Sequence, residues 1–342
     1  MLLSDIQGQD SAIATLRNAL TRNRLGHAYL FIGPAGVGKK QTALALARAV
    51  LCTDKPHEGC GLCSACTLVT AGTHPDLMRV APETGKQSVL IEQVREVQRL
   101  LGLRSVHGGK KVALLDDAHL LTPQAQSALL KIVEEPPGDA LLILLTVNSA
   151  TLSRPLLSRC QQVQFFTLPL AIVEDLLVRE HGKDPTTAQA LALYSRGSIG
   201  RALSLDPEVF TEARRYVMEE LLRLPSASFT ALSRLAEWLV ADRVKKSTKT
   251  AEPGEEPATG DRLELVLSWC EEVWRCALLG QDGVTRYQDC LPAVSHAAAT
   301  LGAAEALRQL TLVYDTMQAL GRNANRQLAV EDMLLQLATP PR

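Results

Sequence analysis

His27-Ala28-Tyr29-Leu30-Phe31-Ile32-Gly33-Pro34-Ala35-Gly36-Val37-Gly38-Lys39-Lys40 is an apolar run that enters a glycine-rich turn. Behind it, Gln41 to Leu51 is rich in Ala and Leu and predicts a helix. Strand, glycine loop and helix in that order make a phosphate-binding turn. The glycines let backbone N–H groups curl around an anion at the helix N-terminus, and Lys39 supplies the counter-charge. The next position should carry a Ser or Thr whose hydroxyl holds Mg²⁺. Here it is Lys40, an ammonium that cannot ligate a cation and repels one. The stretch therefore predicts phosphate-loop ancestry with Gly33, Gly36, Gly38 and Lys39 in a degenerate site, where Mg-ATP turnover is not expected.

Around this loop, helix and strand signals alternate, as in a parallel sheet with crossover helices. Asp10 to Thr21 and Val89 to Leu101 have helical spacing, and Ala28 to Ile32, Lys111 to Leu115, Leu141 to Thr146 and Gln162 to Phe166 predict strands. Thr122-Pro123 starts a helix that Pro136 and Pro137 must end near Glu135. Leu114-Leu115-Asp116-Asp117 ends a strand as a Walker B segment would, with Asp116 towards a metal and Asp117 where a longer Glu usually polarises water. A plain solvated strand end is the alternative.

From about Leu168 the pattern is of amphipathic helices without a buried strand. We divide the chain into an α/β domain at 1–167, a small helical unit at 168–206 and an all-α region at 207–342. Lys245 to Gly260 is a polar insertion carrying Pro and Gly, expected to be mobile. Leu301 to Leu320 and Arg326 to Leu337 predict the last long helices, with Asn323 and Asn325 able to cap the final one. Trp238, Trp269 and Trp274 suit either interface anchors or core, and core is the commoner use.

Composition narrows the function classes. The 342 residues balance 36 Lys and Arg against 37 Asp and Glu, which excludes a broad polybasic surface and leaves nucleic-acid contact to local patches. Aromatics are 4%, against the aromatic strand pairs of a sandwich. No apolar run approaches the ~20 residues of a membrane span, and Asp5 stands where a signal peptide wants a basic start and an apolar run, so a soluble, cytoplasmic protein with no membrane partner is expected.

Cys52, Cys60, Cys63 and Cys66 crowd four of the eight cysteines into fifteen residues. Four thiolates close a tetrahedral Zn²⁺ site with no position left for water, which makes it structural. The rivals are an iron–sulfur cluster, whose bacterial spacing does not continue after Cys66, and four buried unligated thiols. His57 and His74 are nearby alternative ligands. Cys160, Cys270, Cys276 and Cys290 lack ligand spacing and read as packed thiols.

Further strings act together: His27-Ala28-Tyr29-Leu30, Gly72-Thr73-His74-Pro75-Asp76, Leu129-Leu130-Lys131 with Glu134-Glu135-Pro136-Pro137, and Ser158-Arg159-Cys160. On these the whole chain resembles the bacterial clamp-loader branch of the AAA+ ATPases. The resemblance implies a RecA-like AAA+ parallel-sheet domain with an inserted zinc module, a small helical lid, and a C-terminal helical collar that assembles subunits into a ring. It implies gamma/tau and delta subunits as partners, with the sliding clamp and primer-template DNA reached through the complex. It makes Arg159 an arginine finger given in trans to a neighbour's ATP. It also implies that the hydrolysing subunits carry a sensor-2 arginine as the fourth residue of Gly-Ser-x-Arg, where this chain has Gly200 in Gly197-Ser198-Ile199-Gly200. Arg201 lies about 100° further round a helix. Thr146-Val147-Asn148 gives no clear sensor-1 match. Lys40 and Gly200 together favour a non-hydrolysing stator over a gamma/tau-like ATPase using Lys39, Asp116 and Asp117. A zinc-dependent DNA-binding module is disfavoured by the net charge of −1.

Overall fold

Apolar runs with few polar residues suit strands covered on both faces, and three of them form the centre of a parallel sheet. In the computed structural model these are β1 (Ala28–Ile32), β3 (Lys111–Leu115) and β4 (Ala140–Thr146), buried at every position. The edges are short: β2 (Leu77–Val80) and β5 (Gln161–Gln164). All pairings are parallel in the order β2-β3-β4-β1-β5. The structure describes residues 1–82, 88–106, 109–241, 259–321 and 324–339. It divides into two units, Met1–Leu203 and Ser204–Arg342.

In the first unit, strand alternation sorts the core into two layers. Tyr29, Phe31, Leu114, Ile143 and Leu145 face one side, where Leu16 of α1 (Asp10–Thr21) and Leu46 of α2 (Lys39–Leu51) pack. Leu30, Ile32, Leu115, Leu142 and Leu144 face the other, against Val94 of α4 (Ile91–Leu101) and Leu129 of α5 (Pro123–Glu134). Val69 of α3 (Ser64–Ala71) joins the first layer and Leu156 of α6 (Arg154–Arg159) the second. Three further helices, α7 (Leu170–Arg179), α8 (Pro185–Tyr194) and α9 (Ile199–Ser204), complete the unit.

The sequence reading missed β2. Leu77-Met78-Arg79-Val80 has only its first two residues buried, so neither alternation nor a continuous apolar run marks it; its pairing with β3 makes it a strand. At β5 the strand ends at Gln164 rather than Phe166 and has only Val163 buried, as an edge strand permits.

The second unit is helical: α10 (Pro207–Arg223), α11 (Phe229–Val240), α12 (Thr259–Leu279), α13 (Leu291–Gly321) and α14 (Arg326–Ala338). Its core includes Val217, Leu239, Val266, Val273, Val313 and Leu334. The α13 helix begins ten residues before the predicted Leu301, because Gly302 (φ 72°) joins two helical segments across a kink. Trp269 is buried, edge-on to Tyr287 with ring centroids 5.4 Å apart, which is a core role. Asn325 caps α14 by accepting from the Leu328 N–H, whereas Asn323 and most of the polar stretch 245–260 lie outside the described residues. Among the described residues no helix is long and apolar enough to cross a membrane.

Candidate functional site

Ligands of open parallel sheets sit beyond the carboxyl ends of the strands. The order β3-β4-β1 brings three such ends together: Asp116-Asp117 after β3, Thr146 at the end of β4, and the loop from Gly33 after β1. The Gly33 N–H donates to the Thr146 carbonyl at 3.2 Å, tying loop to strand. A cleft of about 450 Å³ opens here, lined by Gly36, Gly38, Lys39, Lys40, Asp116 and Asp117 among others. Gly38 caps α2 with φ 102°, a value open to glycine and strained for other residues.

The side chains around the cleft are already engaged. The Lys39 ammonium donates to the carbonyls of Gly33 and Pro34, both at 2.6 Å, and is 8% exposed. Burial lowers its pKa, against the opposing pull of Asp116 and Asp117. Lys40 reaches Asp116 Oδ2 at 2.6 Å. The carboxylate expected to approach a metal is thus neutralised from the position that should have offered the metal a hydroxyl. At the end of β4 the Thr146 hydroxyl donates to the Asn148 carbonyl, and Asn148 Oδ1 accepts from the Ala150 N–H, so both polar groups serve their own turn.

Gly200 has a packing reason. Its N–H donates to the Gly36 carbonyl at 3.0 Å, and a Cβ on Gly200 would lie 2.9 Å from the Gly36 Cα. The backbone of α9 therefore rests directly on the phosphate loop. Arg201 does not line the cleft, whereas Gly200 does. We expect Gly200→Ala to lower the stability of the first unit by about 1–3 kcal/mol through overpacking, measurable as a fall in the denaturant midpoint. An unchanged midpoint would mean that α9 shifts freely off the loop.

Arg159 closes α6, held by the buried Leu156 and Cys160 on either side. Its guanidinium lies 2.9 Å from Glu134 Oε1 and donates to the Pro155 carbonyl at 3.2 Å, with the side chain 44% exposed. It is not among the residues lining this chain's own cleft. Burial pushes the neighbouring Cys160 thiol up to about 11, which suits an inert packed sulfur.

The four clustered cysteines meet at the C-terminal end of α2 and the start of α3, with their sulfurs all within 4.8 Å of one another. Cys52 and Cys63 Sγ are 3.8 Å apart, and Cys60 and Cys66 Sγ 3.9 Å. A tetrahedron of sulfurs ~2.3 Å from a central ion has edges of ~3.8 Å. The N–H groups of Lys55 and Cys60 donate to Cys52 Sγ, Cys63 to Cys60, and Cys66 to Cys63, a donor set that favours thiolates. Desolvation acts to raise the Cys63 thiol, but the Cys66 N–H and further donors bring it down to about 6; burial takes Cys66 up to about 12. This four-cysteine group can hold a metal ion. His57 and His74 are not part of it, and His74 Nδ1 instead accepts from the Asp76 N–H.

A family model described as DNA polymerase III, delta subunit, matches residues 8–169. The delta-prime subunit of DNA polymerase III from Pseudomonas aeruginosa is 36% identical over 64% of this chain and 67% of its own length. The chain belongs to the DNA polymerase III delta-prime family. The Bacillus subtilis delta-prime subunit is 27% identical over 96% of both chains. The tau subunit of Escherichia coli DNA polymerase III is also similar, at 33% identity, but over 59% of this chain and 32% of its own length.

Within this chain, Gly36, Gly38, Lys39, Asp116 and Asp117 line one cleft, Gly33 lies outside that lining and ties the loop to β4, the four cysteines form a separate cluster, and Arg159 stands apart from both. Sequence reasoning missed the Lys40–Asp116 pair, the Glu134 partner of Arg159 and the Gly36–Gly200 contact. Each joins residues far apart in sequence. Only the first had a signal, a cation at a position that needs a metal-binding hydroxyl.

Proposed function

We propose that this chain is the stator of a clamp loader in the DNA polymerase III holoenzyme, a subunit that helps load a sliding clamp onto primer-template DNA without hydrolysing ATP itself. It works with gamma/tau and delta subunits in the cytoplasm. Residues 168–206 serve as the lid and 207–342 as the collar that packs on neighbours. Arg159 is the finger presented to a gamma/tau neighbour's ATP, where a guanidinium stabilises charge developing on the γ-phosphate. The four-cysteine group holds structural zinc.

The observation that carries the non-hydrolysing role is the Lys40–Asp116 ion pair at 2.6 Å. Hydrolysis needs a divalent ion bridging the β- and γ-phosphates and a side chain polarising water. Here the metal's carboxylate is matched to an ammonium, and Gly200 puts no guanidinium on the γ-phosphate side of the loop. The protein's contribution is then positional: it holds one end of an open ring and completes an active site belonging to another subunit.

The isolated chain should release no phosphate from Mg-ATP, with or without primed DNA. Lys40→Thr restores a hydroxyl but should add no turnover above that background, because Gly200 remains. Phosphate release by the Lys40→Thr variant at about 1 s⁻¹ or faster, a typical enzyme rate, would favour the gamma/tau-like reading instead.

A further inference from the structure

Mg²⁺ is the ion that a phosphate-loop fold brings to the cleft with ATP, and the side chains present do not fit it. Lys40 replaces the hydroxyl ligand, and its ammonium sits 2.6 Å from Asp116 Oδ2, the carboxylate that would approach the ion. Arg79 adds a second cation, lining with Lys40 and Asp116 a hollow of about 310 Å³ beside the cleft. We infer that Lys40 stands in for the divalent cation, so that the cleft takes a nucleoside polyphosphate as the free anion and binds its Mg²⁺ complex more weakly. This deepens the non-hydrolysing reading and rests on it.

The charges and shape support an anion with an apolar end. Asp5 and Glu180 also line the cleft, so positive charge is not in excess over the whole of it. At the loop itself Lys39 and Lys40 face Asp116 and Asp117, Arg79 stands in the adjoining hollow, and the helix N-terminus adds its own partial positive charge. The Lys40 side chain is 48% exposed, and its contact with Asp116 uses one of an ammonium's three donors. Lys39 uses two on the loop carbonyls. Each lysine therefore keeps a donor for a phosphate oxygen. Away from the charges the cleft is lined by Ile6, Leu168, Leu176 and Leu203, an apolar wall suited to a flat base. A nucleotide that carries Mg²⁺ would bring the ion against the Lys40 ammonium. The metal that strengthens binding at a site with a hydroxyl ligand here opposes it.

Calorimetric titration of ATP into the full chain tests this, in EDTA and again in excess Mg²⁺, with phosphate release assayed on the same samples. The expected result is binding in EDTA that weakens by roughly tenfold with Mg²⁺. Lys40→Thr should reverse the sign, so that Mg²⁺ strengthens binding. Asp116→Asn, which frees Lys40 from its partner, should strengthen binding in EDTA. Circular dichroism melting establishes that both variants fold. No binding in either buffer, or affinity that Mg²⁺ leaves equal or improves, overturns the inference and leaves the stator role standing if no phosphate is released. Mg²⁺-dependent binding with turnover overturns both.

Discussion

Replacing Arg159 by alanine should leave the proposed multi-subunit complex assembled and slow ATP hydrolysis at the one neighbouring site it is proposed to serve by about 10³-fold, the lower end of what arginine fingers contribute. The side chain is poised for such a role. Leu156 and Cys160 are buried on either side of it, so the backbone is anchored, while the guanidinium is 44% exposed at the C-terminal end of α6. It is parked on Glu134 and the Pro155 carbonyl, contacts that a half-exposed pair can exchange for a phosphate at little cost. For the same reason the variant should melt within about 1 kcal/mol of the parent. Arg159→Lys should fail to restore the rate, because one ammonium cannot reproduce a planar two-pronged donor. Arg154→Ala, an exposed arginine at the start of the same helix, is the control and should leave the rate unchanged. Single-turnover hydrolysis in the reconstituted complex is the measurement, since a steady-state average over several sites hides the loss of one. A full rate with Arg159→Ala would remove the arginine from the chemistry and leave it a surface ion pair.

What the sequence disclosed follows from the range over which each signal acts. The strands β1, β3 and β4 are buried along their whole length, so their apolar runs stand out by themselves. Thr122-Pro123 announced α5 because a cap and a proline act within one turn; the Thr122 hydroxyl does accept from the Ala125 N–H. The cysteine cluster was legible because metal ligands come in short spacings, and the structure gathers those same four sulfurs. By contrast, β2 owes its existence to β3, more than thirty residues later in the chain, and nothing in Leu77-Met78-Arg79-Val80 marks it. The kink at Gly302 is local, yet a glycine in an Ala-rich helical stretch reads as well for a helix boundary as for a bend. In the cleft, the sequence showed that Lys40 is the wrong residue for a metal. It did not show that Lys40 neutralises Asp116, which depends on β3 lying two strands from β1.

If the four-cysteine group holds the proposed zinc, stripping the metal from the purified protein should lower its melting temperature by about 10 °C, equivalent to about 3–5 kcal/mol for a unit of this size. Zinc-finger peptides draw ~10–16 kcal/mol from the metal because nothing else folds them, whereas here the sheet and its helices carry most of the first unit. The loss falls on the segment between Cys52 and Cys66. Cys52 ends α2 and Cys63 caps α3, so the ion would clamp two helix termini together with the turn between them. Without it, four sulfurs within 4.8 Å of one another must either ionise without a counter-charge or take up protons and lose their mutual geometry. Acid should therefore release the metal, because protons compete for the thiolates, and the melting temperature should fall with metal content as pH is lowered. Cys66→Ala removes a fully buried ligand and should reproduce the chelated melting temperature, with no further fall when chelator is added. Hydrogen exchange should localise the loosening to residues 52–71 and leave β1, β3 and β4 protected. Elemental analysis giving one zinc per chain, lost in parallel with stability, fits a structural ion. Metal-free protein that melts at the same temperature as the purified form would reduce the cluster to four packed thiols, and the 3.8 Å sulfur spacing would then need another cause.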